Sequence, residues 1–138
     1  SLLSVAAQEK KEPLPRVLSA SIPSYPPVAQ AADIQGVVTL RVSTDGRHAV
    51  RFDSEKGHPL LLRAAKENIT TWEFEPHRPT SFGVKFDYKL SLPPPCGTDL
   101  DPWDPQNTTV LLHLPISVEL NSVYARGCDT AVTTEKKK

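Results

Sequence analysis

The side chains that could do chemistry in this chain are few and scattered. His48, His58, His77 and His113 are its four histidines, and no two stand at the short helical or loop spacing that brings metal ligands together. Surface or capping roles are expected for them. Asp99, Asp101 and Asp104 share the oxygen-rich spacing of part of a calcium loop, but the glycine and closing glutamate of that loop are missing, which leaves a solvated turn as the expectation. No serine or cysteine lies in a motif that sets a nucleophile on an activating turn. The sequence thus points away from an enzyme and toward no metal site and no cofactor. Cys96 and Cys128 suit a single disulfide in a compartment where thiols are not kept reduced. A straight strand between them would hold them beyond bridging distance, so bridged and free states both stay open. Trp103, set among Asp99, Pro102, Asp104 and Pro105, is either a contact for a partner or a staple for its own loop.

Among 138 residues, 16 basic and 16 acidic side chains cancel, and the one basic run, Lys136 to Lys138, is a short tail. A nucleic-acid partner would need a basic face, and none is visible. No stretch approaches the roughly 20 apolar residues that span a bilayer. Ser1 to Ala7, followed by Gln8-Glu9-Lys10-Lys11, resembles the end of a signal peptide, with Val5 and Ala7 as the small residues before a cleavage site. Residues 1–7 are therefore a signal-peptide remnant or a frayed terminus, and a periplasmic or secreted location in a bacterial envelope is expected. Residues 8–21, broken by Pro13 and Pro15, form an extended lead-in.

The elements that must position any site follow from periodicity. Pro26 and Pro27 open a short helix over Val28, Ala29, Ala31 and Ala32, ending near Asp33. Val38, Leu40 and Val42 alternate with Thr39, Arg41 and Ser43 as a half-buried strand. Asp45-Gly46 turns the chain into a returning strand whose buried face continues in Val50 and Phe52. A second helix starts at Pro59 and ends close to Trp72, because Leu61, Ala65, Ile69 and Trp72 form one apolar stripe before Pro76. Phe82, Val84, Phe86, Tyr88, Leu90 and Leu92 mark the clearest strand, and residues 93–107 a loop rich in proline and aspartate. A further strand over 108–124 carries Val110, Leu112, Leu114, Ile116, Val118 and Leu120 on one face. Pro115 puts it at a sheet edge or bends it. Residues 125–138 are a tail.

This order, with its punctuation, resembles the C-terminal domain of the TonB energy-transducer family. The carrying residues are Tyr25-Pro26; Ile34-Gln35-Gly36-Val37-Val38; Asp45-Gly46; Gly57-His58-Pro59-Leu60-Leu61; and Trp72-Glu73-Phe74-Glu75-Pro76. The resemblance covers residues 22–92. It implies an α+β fold of two layers, a three-stranded antiparallel sheet plus an extra C-terminal strand, covered on one face by two helices. It also implies a protein-binding role in which an extended segment of a partner, such as an outer-membrane receptor, adds as a strand to an exposed edge. The corresponding edge is Gly83, Val84, Lys85, Phe86, Asp87, Tyr88 and Lys89, with Pro23, Tyr25 and Pro26 close by. In Ile22-Pro23-Ser24-Tyr25-Pro26, Ile22 stands where the family motif opens with glutamine. An uncovered edge is an aggregation hazard. The strand after residue 107 is therefore expected to pair with Gly83 to Ser91 as a self-cap in a structural or assembly domain, to pack elsewhere, or to pair in a homodimer.

Overall fold

The computed structural model describes residues 14–91 and 108–123. The cysteines, Trp103, the three clustered aspartates and the expected signal remnant lie outside the described residues. In chain order the elements are β1 (Val17–Ser19), α1 (Pro27–Ala31), β2 (Gly36–Thr44), β3 (Ala49–Lys56), α2 (Pro59–Ile69), β4 (Glu73–Phe74), β5 (Ser81–Ser91), β6 (Thr108–His113) and β7 (Ser117–Val123). Five strands form one mixed sheet in the order β3-β2-β5-β7-β6, and β1 pairs with β4 in a small second sheet. The lead-in is thus partly built into the fold, with Val17 opposite Phe74.

Both helices start where proline is harmless. Pro27 and Pro59 occupy first-turn positions whose N–H groups would lack an intrahelical partner anyway. His58 caps α2, its Nδ1 accepting from the Leu60 N–H at 3.1 Å. The stripe of Leu61, Ala65 and Ile69 continues into Trp72 beyond the helix, and all four are fully buried. They cover the face of the sheet that carries Val38, Leu40, Val42, Val84 and Phe86. Trp72 stacks over Phe86 with ring centroids 6.5 Å apart, and its indole N–H donates to Asn68 Oδ1 at 2.9 Å. Each large side chain so buried contributes about 1.5–3 kcal/mol before entropy is counted.

The β2–β3 hairpin turns on Asp45, whose Oδ1 accepts from the backbone N–H groups of Arg47 and His48, both at 2.9 Å. Those bonds, the one from His48 first, hold the Asp45 carboxyl below the usual carboxylate range. Gly46 follows at φ 107°, a left-handed conformation that suits glycine. Beyond the turn, Val50 departs from the inward position that alternation gives it. The register shifts between Ser43 and Thr44, so that Ala49 stands opposite Thr44, and Val50 is 59% exposed.

The run from Val110 to Leu120 is not one strand. It folds at Leu114, cis-Pro115 and Ile116 into an antiparallel hairpin, with His113 opposite Ser117 and Val110 opposite Leu120. Proline's missing N–H falls in the turn, where no ladder needs it. The sheet therefore gains two strands rather than one. The first to return, β6, lies outermost, and β7 lies inside it against β5.

Candidate functional site

The candidate site is the outer side of β5. Its inner side pairs antiparallel with β2 from Gly36↔Tyr88 to Ser43↔Ser81. Its outer side pairs in parallel with β7 from Lys85↔Ser117 to Ser91↔Val123. Of the residues that the sequence marks as an edge, Lys85, Phe86, Asp87, Tyr88 and Lys89 carry β7 as a neighbour, while Gly83 and Val84 lie before its first pair. The chain's own strand stands along most of the place where an added strand would lie.

The strand is held by its core face. Val118, Leu120 and Ser122 are fully buried. Ser122 is a polar group in an apolar layer, and it is satisfied: Gln30 Nε2 of α1 donates to its Oγ at 2.6 Å, and Thr108 Oγ1 of β6 lies 3.1 Å from the same oxygen. Three elements thus meet at one buried hydroxyl, which fixes the register of β7 as an apolar contact alone could not. Sequence reasoning missed this cluster. The signal available was Gln30, a polar residue inside the apolar run Val28-Ala29-Gln30-Ala31.

Tyr25 packs edge-to-face on Tyr88, ring centroids 5.3 Å apart, and its hydroxyl donates to the Ile34 carbonyl at 2.7 Å. Pro23 is buried beside it and Pro26 half-buried. The expected motif thus meets the core face of β5. Burial pushes the Tyr88 phenol up, with Tyr25 adding to the effect, and burial followed by the charges of Asp33 and Asp87 does the same for Tyr25. Both rings stay neutral near pH 7. On the solvent face Lys89 pairs with Asp87 at 3.7 Å, and the Gln35 side chain accepts from the Leu90 N–H at 2.9 Å.

The histidines are dispersed. His58 caps α2; His77 Nε2 lies 2.7 Å from Thr44 Oγ1; His48 lies 3.8 Å from Glu73; and His113 ends β6. Among the described residues no helix is long and apolar enough to cross a membrane.

Residues 21–91 match the family model of the Gram-negative bacterial TonB protein C-terminal domain. Over 70 residues the chain is 39% identical to Protein TonB of Escherichia coli (strain K12), a match that covers 49% of this chain and 29% of that protein. The matched span ends with β5, so β6 and β7 lie beyond it.

Proposed function

The chain belongs to the family of Gram-negative bacterial TonB C-terminal domains, and on that premise we propose that it is a periplasmic protein-binding module of the cell envelope that takes an extended partner segment as an added strand. The partner would be a protein of envelope transport, such as an outer-membrane receptor, and the segment would run along Gly83 to Lys89 in exchange for β7. One observation carries this reading: a strand from outside the family-matched span is paired in parallel on the outer side of β5. Backbone hydrogen bonds supply the affinity in such additions, and any extended chain can offer them. In this reading β7 is an intramolecular substitute for the partner. The role is binding rather than catalysis.

A second reading is favoured by the complete burial of Val118, Leu120 and Ser122. In it β7 is a permanent strand, and the domain is a self-capped structural or assembly unit without receptor coupling.

Amide exchange across Gly83 to Ser91 separates the two, comparing the full chain with one ending after Pro95. The exchange reading expects the shortened chain to stay folded, to lose protection at alternate β5 amides, and to regain it with an extended receptor segment. Global unfolding of the shortened chain, or no response to the segment, establishes the second reading.

A further inference from the structure

The face of the sheet opposite the helices carries a concavity of about 360 Å³, lined by Thr39, Arg41, Lys56, Gly83, Lys85 and Ile116 among others. Its lining charges are all positive. Lys56 and Lys85 flank Thr39 in register from the two neighbouring strands, and Arg41 follows two residues along β2. None of the three is in an ion pair among the described residues; Asp53, opposite Arg41 in register, pairs with Arg51 at 3.4 Å, and Asp87 pairs with Lys89 at 3.7 Å.

A backbone irregularity creates this charge pattern. Between Arg41↔Asp53 and Thr39↔Lys56 the register gains one residue on β3, and Ser54, at φ 53°, sits within the extra step. Regular pairing would set Glu55 opposite Thr39. The bulge instead sets Lys56 there, while Glu55 receives Lys66 Nζ of α2 at 3.0 Å. Bulges are over-represented at sheet edges, where β3 lies, and beside active sites, where they re-aim a side chain.

Gly83 is a separate signal. Its φ lies outside the left-handed range, and a Cβ added there would meet nothing within 4 Å. Neither backbone conformation nor packing requires glycine, although glycine weakens a strand. Close approach of a ligand or of another backbone is one reason for glycine at such a place. Lys85 N donates outward to the Ile116 carbonyl at 2.9 Å, so by the two-residue period Gly83 directs its own N–H and C=O to the same side, before the first β7 pair.

We propose that this concavity is an anion site that receives an acidic side chain of an extended protein partner, whose backbone runs beside Gly83 while its carboxylate meets Arg41, Lys56 and Lys85. The proposal rests on the protein-binding reading for the nature of the partner. The exposed strand edge beside three cations favours a peptide over a lipid phosphate, because an extended backbone can bond both the N–H and the C=O of Gly83 whereas a phosphate oxygen can only accept from the N–H.

The test is titration of the full chain, followed by amide shifts, with acetyl-tetraglutamate-amide, its tetraglutamine counterpart, inorganic phosphate and phosphatidylglycerol vesicles. The expected result is a saturable shift confined to Thr39, Arg41, Ser54, Lys56, Gly83 and Lys85 with tetraglutamate alone. It should weaken with added salt. Lys56→Gln and Arg41→Gln should each lower that affinity roughly threefold, as loss of an exposed ion pair does. Gly83→Leu should abolish it without lowering thermal stability, since the new side chain enters open space. Equal shifts with tetraglutamine, or a response to phosphate or vesicles without one to tetraglutamate, overturns the proposal. Because the titration leaves β7 in place, its failure is distinct from failure of strand exchange, which is read in the β5 amides of the shortened chain.

Discussion

Two hairpins flank β5, and they are held in different ways. The β2–β3 hairpin lies on one side, antiparallel to β5 and inside the family-matched span. The β6–β7 hairpin lies on the other, joined in parallel and outside that span. On the β2 side Val38, Leu40 and Val42 are all carbon and the buried hydroxyl of Thr44 sits at the strand's end against His77, whereas β7 carries a buried hydroxyl that needs α1 and β6 to satisfy it. Regular apolar packing holds the first hairpin, and a polar contact of defined geometry registers the second. A segment that must find one register, and in the proposed exchange leave it again, is better specified by the second device.

Leucine truncation on the two sides should produce the largest effects. Leu40→Ala and Leu120→Ala each remove a buried leucine and should cost about 2–5 kcal/mol. For Leu40→Ala the loss should appear in every slowly exchanging amide. For Leu120→Ala it should appear in β5–β7 amides while α2 keeps its protection. A global loss in both variants would erase the distinction between the hairpins. Next comes Ser122→Ala, which strands the buried Gln30 amide and should cost about 1–3 kcal/mol by denaturant unfolding. Gln30→Leu in the same background should recover part of that loss. No recovery would mean that the pair does not act as a unit.

The smallest expected effect is at the Asp45 turn. Its carboxyl titrates below the usual range when folded, so the ionised form favours the folded state. That contribution is complete above the unfolded-state value near pH 4 and disappears as pH falls through the lowered one. Acid titration of the hairpin amides should show this loss, and Asp45→Asn should remove its pH dependence. Retention of the same acid response in that variant would place the titrating group elsewhere.

The two hairpins also differ in how far the sequence announced them. Asp45-Gly46 signals a tight turn through its own chemistry, and the turn is where that pair places it. The second turn carries no such mark. In β6–β7 the paired residues are both even or both odd in number, as with Val110 and Leu120 or Leu112 and Val118. A three-residue turn keeps this parity, so the apolar alternation of a folded hairpin is identical to that of one long strand. Pro115 was the only clue, and it left an edge and a bend equally open. The stripe of α2 and the face of β5 were legible because burial enforces one period throughout. Lys56 was not, since a bulge shifts the register without altering residue types.

The pairing of β5 with β7 also has a consequence in mass action. Because residues 92–107 join β5 to β6, the strand on the edge is a tethered competitor, present at a fixed local concentration however dilute the protein. Tethering of this kind gives effective concentrations up to the order of millimolar. A free segment at micromolar levels therefore competes at a disadvantage of up to roughly a thousandfold unless its own contacts are better. A partner that presents its segment while already docked nearby escapes this handicap, since its segment is local too. Exchange of β7 on such a module would ignore loose extended peptides and answer chiefly to partners that arrive with a second point of attachment.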